Sequence, residues 1–178
     1  PACTRSISPA RWLALPTPAT AMLSGGPPAL AWATSSRRLD AFSVGRATGS
    51  QRTAYRKARE WMDKVIELLK PGMSTDKIAA ALPKAQQAGF ANEMDAFGLN
   101  FCHGLGLGLH ERPLISRLNS FREPIELKAG MVFAVETYCP ASDGISAARI
   151  EEEVILTPKG AQVISLYPAE ELPIANPY

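Results

Sequence analysis

The chain changes composition abruptly near residue 40, and this break limits which part of it can form an ordinary folded domain. Residues 1–39 contain no Asp, Glu, Lys, Asn, Gln, Val, Phe or Tyr and are rich in Ala, Pro, Ser, Thr and Arg. Globular domains seldom avoid carboxylates over such a length. We therefore expect residues 1–41 to be a low-complexity segment without a stable core, either a disordered Pro/Ala-rich extension or a stretch translated out of frame. Residues 42–178 are expected to form the folded domain.

Hydrophobic periodicity predicts two helices followed by several strands. Apolar residues recur at helical spacing between 54 and 69, and the Pro-Gly pair at 71–72 should end this helix. A second helix should begin at a cap formed by Ser74 or Thr75 and end or kink near Pro83. Strands are predicted at 131–138, 148–156 and 161–166, the last two joined by a turn at 158–160.

Charge and cysteine content argue against several classes of function. The formal net charge of +2 is too small to indicate binding to nucleic acid or to an anionic membrane. The three cysteines are widely spaced and form neither a zinc knuckle nor a disulfide framework, so we expect a reducing compartment, the cytoplasm. No apolar run approaches the roughly 20 residues needed to span a bilayer.

The two histidines of the chain, His103 and His110, both lie in the glycine-rich segment HGLGLGLHERP. Glycines let a backbone approach a ligand closely, and histidine is both the commonest side-chain metal ligand and the usual acid or base near neutral pH. Two interpretations are open at this point, a metal or catalytic site and a glycine-rich loop with incidental histidines. A phosphate-binding loop is disfavoured because no GK[ST] follows and no GxGxxG opens a helix.

Carboxylates follow in two later predicted strands. Glu136 lies in the apolar run MVFAVETY, where a buried carboxylate is costly unless it is paired or bound to a cation. The alternative is that the strand reaches solvent there. In the run RIEEE, which begins at Arg149, an extended strand puts Glu151 and Glu153 on one face and Glu152 on the other, without indicating which faces inward. Two His and at least two Glu suit hard or borderline divalent cations.

Together these segments resemble the M24 peptidases, the pita-bread family of Xaa-Pro dipeptidases, aminopeptidase P and methionine aminopeptidase. HGLGLGLHERP resembles the HGxGxxxHExP signature of the family, GMVFAVETY its GMVxxxEP strand, and ARIEEEVILTPKGAQVIS its RIExxxxVTxxG hairpin. The order and spacing agree, and the match runs from about Phe42 to the C-terminus. The resemblance implies the α+β pita-bread fold, a curved and mostly antiparallel sheet with flanking helices, whose N-terminal strands are here missing or scrambled.

The resemblance implies a role for each of five side chains. His103, Glu136 and Glu151 match metal ligands, with Glu136 also a general acid/base candidate and Glu151 the carboxylate shared between two metals. His110 matches the histidine that contacts substrate and stabilises the tetrahedral intermediate, and Arg149 would orient Glu151. The implied cofactors are divalent ions (Mn, Co or Zn), two in a complete relative, which together activate the attacking water.

The resemblance stops where the composition changes. The family needs two further aspartate ligands from a hairpin that ends just before a VGR segment, and Val44-Gly45-Arg46 stands in the expected place. The one carboxylate before it, Asp40, is too near Phe42 to match. Because ligand number and geometry set metal affinity, we expect weak metal binding and impaired hydrolysis of N-terminal Xaa-Pro type peptide bonds.

Other functions stay open beside the peptidase. One is a dimethylsulfoniopropionate-lyase-like enzyme of the same fold, although the presence of His110 favours the peptidase. Another is a non-catalytic binding module, and a third is an inactive pseudoenzyme, which the missing aspartates favour. The expected partner is a peptide substrate, with neither nucleic acid nor a membrane, and a homodimer is left open.

Overall fold

The computed structural model describes residues 30–35, 38–96, 102–108 and 110–175. The described helices are α1 (Gly49–Leu68), α2 (Thr75–Ala81) and a short 3-10 helix (Ala85–Ala88). The described strands are β1 (Leu30–Ser35), β2 (Arg38–Val44), β3 (Cys102–Gly104), β4 (Glu111–Ile115), β5 (Val132–Pro140), β6 (Ala147–Thr157), β7 (Gly160–Val163) and β8 (Ile174–Ala175). None of the described helices is long and apolar enough to cross a bilayer.

Helix α1 forms where the 3.6-residue hydrophobic period predicts it. Thr48 caps its first turn reciprocally with Gln51, since each side chain accepts a hydrogen bond from the other residue's backbone N–H, at 3.2 and 2.9 Å. The buried stripe includes Ala58, Met62 and Val65, all at 0% exposure. Each large apolar side chain buried in this way contributes about 1.5–3 kcal/mol, so packing rather than propensity stabilises the helix.

The second predicted helix and the three predicted strands are confirmed within a few residues. Helix α2 begins after Ser74, although the Ser74 side chain makes no capping hydrogen bond, and it ends before Pro83. Strand β5 continues two residues beyond its predicted end, to Pro140. Strand β7 is shorter than predicted, since it ends at Val163.

The described strands pair into two sheets. The larger sheet has the order β4-β3-β5-β6-β7, and all of its neighbouring strands are antiparallel. The smaller sheet has the order β1-β2-β8, with β8 parallel to β2. The mostly antiparallel pairing agrees with the α+β architecture expected from the sequence.

The register of the larger sheet divides its side chains between two faces. Partners directly opposite each other share a face, and successive residues alternate between faces. Val135 and its partner Glu152 lie on the face covered by α1, since Arg59 of that helix pairs with Glu152. Glu136 and its partner Glu151 lie on the opposite face. The core lies between α1 and the sheet, and the other face is left for polar groups.

Part of the N-terminal segment forms a hairpin in the described structure. Leu30–Ser35 is a strand in continuous antiparallel register with Arg38–Val44, largely within the segment 1–41 that we expected to lack a stable core. Backbone pairing does not depend on the missing carboxylates, and no proline interrupts these six residues. The remaining part of that expectation, on residues 1–29, lies outside the described residues, and the domain boundary after residue 41 stays a prediction.

Candidate metal centre

Three neighbouring strands bring the predicted site residues to one face of the larger sheet. His103 of β3 lies opposite Ala134 of β5, and Glu136 is two residues further along β5 on the same face. Glu151 of β6 lies directly opposite Glu136. The strands are about 4.8 Å apart, so alternation alone places His103, Glu136 and Glu151 beside one another.

The imidazole of His103 is buried and held in one orientation. Its exposure is 2%, and its Nδ1 lies 3.0 Å from the carbonyl oxygen of Gly104. A carbonyl oxygen can only accept, so Nδ1 carries the hydrogen of this bond. Its Nε2 points toward Glu136, whose Oε1 is 3.1 Å away. Metal-binding histidines commonly anchor their other ring nitrogen in this way.

The Glu136 carboxylate is buried in the interior of β5, which rules out the alternative that the strand reaches solvent there. Its exposure is 7%. One oxygen faces His103 and the other accepts a short hydrogen bond from the guanidinium of Arg149. The resemblance implied that Arg149 would orient Glu151, whereas the hydrogen bond described for Arg149 goes to Glu136. The register explains this, because Arg149 lies opposite Tyr138, two residues from Glu136 on the same face.

His110 reaches the same place from the glycine-rich loop. Its ring centroid is 4.2 Å from that of His103, with the ring planes inclined by 50°. His110 is exposed, unlike His103. Desolvation, followed by the charges of His103 and Arg149, lowers the pKa of His110 below its ordinary value. The ring is therefore neutral near pH 7 and can donate one hydrogen bond.

One nitrogen each from His103 and His110 and one oxygen from Glu136 lie within 4.8 Å of one another. Ligand atoms about 2.1 Å from one ion are separated by roughly 3.0–3.4 Å at angles of roughly 90–110°, which matches the 3.1 Å between His103 Nε2 and Glu136 Oε1. Imidazole and carboxylate donors suit borderline divalent cations. The donor set therefore fits one divalent ion.

The remaining candidate carboxylates are placed differently. Glu151 is 3% exposed and lies opposite Glu136, but it is not a member of the donor group found among the described residues. Asp40 is also 3% exposed, but it belongs to β2 of the smaller sheet and is not a member of the three-residue donor group found among the described residues. The donor group found among the described residues contains no aspartate that could help to hold a second ion.

Glu111 has a structural role that the sequence analysis did not identify. Its Oε1 accepts a hydrogen bond from the backbone N–H of Gly108 at 2.5 Å, which folds the glycine-rich loop back on itself. A Cβ at Gly106 would lie 2.2 Å from Glu111 Oε2, so a side chain at that position would displace the carboxylate. The position of Glu111 beside the glycines of the motif could have indicated this role, because a carboxylate can accept hydrogen bonds from free backbone amides.

Most of this chain is similar in sequence to known proteins. The model of Metallopeptidase family M24 matches residues 36–158. The Xaa-Pro dipeptidase of Pyrococcus furiosus is 35% identical over 124 residues, which cover 67% of this chain and 32% of that protein. The methionine aminopeptidase of Escherichia coli K12 is 26% identical over 149 residues, covering 74% of this chain and 55% of the enzyme.

A solved structure shows the same fold. Dipeptidase PepE from Mycobacterium ulcerans superposes with a TM-score of 0.59 at 25% identity, covering 77% of this chain and 35% of that protein. The chain thus spans about a third to a half of the length of the relatives it matches. The family match, residues 36–158, includes both described α-helices and the three residues of the donor group.

Proposed function

Because the chain belongs to metallopeptidase family M24, we propose that it is the C-terminal part of a pita-bread catalytic domain that hydrolyses N-terminal Xaa-Pro type peptide bonds. The convergence of His103, His110 and Glu136 within 4.8 Å carries this proposal. The Xaa-Pro dipeptidase among the relatives supports the substrate class, since it is 35% identical where the methionine aminopeptidase is 26% identical.

Each site residue has a proposed task that follows from its chemistry. His103 and Glu136 would hold a divalent ion, Mn, Co or Zn, and Glu151 would add a carboxylate from the neighbouring strand. A bound ion would lower the pKa of a water molecule and polarise the scissile carbonyl. Arg149 would hold Glu136 in position, because its guanidinium occupies the carboxylate oxygen that does not face His103.

Proton transfer and charge stabilisation would come from Glu136 and His110. Glu136 would accept a proton as water adds to the carbonyl carbon and return it to the amine as the C–N bond breaks. The neutral His110 ring lies at the exposed side of the site, where its N–H can donate to the oxygen that becomes negative.

We further propose that this chain by itself binds metal weakly and turns over little substrate. His103, Glu136 and Glu151 suffice for one ion, whereas the two aspartates that the family adds are absent from the matching hairpin. This same absence favours a second candidate function, an inactive pseudoenzyme that keeps the fold. The lyase-like alternative gains no support from the geometry, because His110 sits at the donor group. Cytoplasmic location and a homodimer stay predictions.

The test measures metal binding and turnover separately. Purified chain is titrated with Mn²⁺ or Co²⁺ by calorimetry and assayed with an Xaa-Pro dipeptide, beside the His103→Ala variant. We expect weak metal binding that His103→Ala abolishes, with turnover far below that of a complete relative. Absence of metal binding would favour the second candidate function, the inactive pseudoenzyme. Robust turnover that is lost in His103→Ala would show that another residue completes the metal site.

A further inference from the structure

A cleft of ≈ 350 Å³ opens in the helical layer, apart from the candidate metal centre. Its walls come from α1, the C-terminal end of α2, the 3-10 helix and the turn after β4. The residues that line it contribute no side chain to the donor group on the other face of the sheet. A volume of this size falls in the lower range of pockets that hold small organic molecules.

Positive charge dominates the rim of the cleft. Lys64, Lys84 and Arg117 line it, and the lining includes no carboxylate. Both lysines are exposed, and neither forms an ion pair with any residue in the described part of the chain. The Arg117 guanidinium is partly neutralised by Glu93, so three cations and one carboxylate leave a net charge of +2.

Arg117 is held in place before any ligand arrives. Its Nε donates to Glu93 Oε1 at 3.0 Å and its Nη1 donates to the carbonyl oxygen of Ala79, near the end of α2, at 3.1 Å. The guanidinium also lies 5.3 Å from the centre of the Phe121 ring. In the described structure its Nη2 has no hydrogen-bond partner, so it keeps donors for a ligand. A pre-positioned donor loses little entropy on binding.

Apolar side chains also line the cleft. They include Leu82 and Pro83, both buried, and the half-buried indole of Trp61. An indole beside aliphatic side chains favours a ligand that carries a flat ring. Lys64 is one turn along α1 from Trp61, so a cation and the aromatic wall lie on the same side of the helix.

We propose that this cleft binds a small organic anion that carries a flat ring, with the ring against Trp61 and the anionic group between Lys64, Lys84 and Arg117. The ring chemistry follows from the indole and the aliphatic side chains, and the charge follows from Lys64 and Lys84, which have no ion-pair partner among the described residues, together with the Nη2 of Arg117. The site lies in the helical layer, so it is independent of the metal-dependent activity proposed above.

The test uses adenosine 5′-monophosphate as the probe, with adenosine and inorganic phosphate as its two halves. Calorimetric titration of the whole chain at low ionic strength should give tighter binding for the monophosphate than for either half. The Lys64→Gln/Lys84→Gln variant should weaken monophosphate binding about fivefold, the effect of two partly exposed ion pairs, and leave adenosine binding unchanged. Added salt should weaken the binding of the monophosphate and of inorganic phosphate, and it should leave adenosine binding unchanged.

A matched control removes the same charge elsewhere. Lys57 and Lys128 are both exposed and outside the cleft, so Lys57→Gln/Lys128→Gln should bind the monophosphate as the unmodified chain does. Trp61→Leu should lower the affinity for the monophosphate to that for inorganic phosphate. Circular dichroism would establish that each variant folds. Equal weakening in both lysine pairs, equal affinity for adenosine and the monophosphate, or no binding at millimolar probe would each overturn the proposal.

Discussion

Arg59 of α1 and Glu152 of β6 form an ion pair beneath the larger sheet, with Nη1 3.1 Å from Oε1 and side chains 18% and 5% exposed. The hydroxyl of Ser165 donates a short hydrogen bond to the second oxygen of Glu152. Because neighbouring residues of a strand face opposite ways, this pair commits Glu151 to the face where it lies opposite Glu136. Glu152, which is not part of the donor group, thus helps to orient Glu151, which is proposed to bind the ion with it.

Replacing Arg59 should destabilise the fold. Arg59→Met removes the guanidinium that pairs with the buried Glu152 carboxylate, and breaking a buried pair in this way costs about 3 kcal/mol. Urea denaturation would measure the loss as a lower midpoint at an unchanged slope. Arg56→Met on the exposed side of the same helix should change stability by less than about 0.5 kcal/mol, and equal losses in the two variants would contradict the role of the pair.

A methyl group at Gly104 should disturb β3 and the histidine before it. The added Cβ would lie 2.7 Å from the backbone oxygen of Arg112, an atom that cannot move without shifting β4. We expect Gly104→Ala to destabilise the chain by about 1–3 kcal/mol, the usual cost of overpacking, and to weaken Mn²⁺ binding. Thermal unfolding and calorimetry would measure the two effects.

The matched control is Gly49→Ala at the first residue of α1. A Cβ there meets nothing within 4 Å, and the backbone does not have a positive φ. Alanine should therefore stabilise the helix slightly, by about 0.4–1 kcal/mol, through the unfolded state. Losses of similar size at both glycines would show that the close approach to Arg112 does not matter.

Sequence periodicity predicted the elements that bury one continuous apolar face. Helix α1 and strand β5 carry enough apolar residues at one spacing to fix their type. The short strand Cys102–Gly104 has no such signal, since three residues cannot establish a period and two glycines follow closely. The position of His103 in a sheet therefore depended on pairing partners that are distant in the sequence.

Burial of the carboxylates could not be predicted from the strand pattern alone. Alternation correctly separates Glu151 from Glu152, but it suggests that only one of them is inward, whereas both are 3% exposed. Each face of β6 is covered at this point, one by α1 and the other by the site residues. Likewise, composition argued against structure near residue 30, while the strand there forms through backbone pairing, which composition predicts poorly.

The turn between β5 and β6 should make stability depend on acid pH through Asp143. Hydrogen bonds from the Ser146 side chain and from the backbone of Ser146 and Ile145 lower the pKa of Asp143 below its ordinary value. A carboxyl with a lowered folded-state pKa stabilises the fold above its unfolded value, near 3.8, and this contribution is lost as pH falls through the folded value.

The Asp143→Asn variant should therefore be less stable than the unmodified chain at pH 7, and the difference should shrink in strong acid. Denaturation midpoints measured from pH 7 down to about pH 2 would follow this convergence. A difference that stays constant with pH would mean that the turn depends on the shape of the side chain and not on its charge.

Substitutions of His103 and His110 should have different effects on metal binding. His103 directs its Nε2 at Glu136 from a buried position fixed by the Gly104 carbonyl, so His103→Asn should weaken Mn²⁺ binding by more than about 100-fold, beyond the loss of an outer contact. His110 is exposed and is proposed to act on the substrate, so His110→Asn should weaken Mn²⁺ binding less than about tenfold while lowering residual dipeptide turnover. Calorimetry and the dipeptide assay measure the two quantities on the same samples. If both variants lose metal equally, His110 is a ligand, as its place within 4.8 Å of the other donors permits, and the proposed division of roles is wrong.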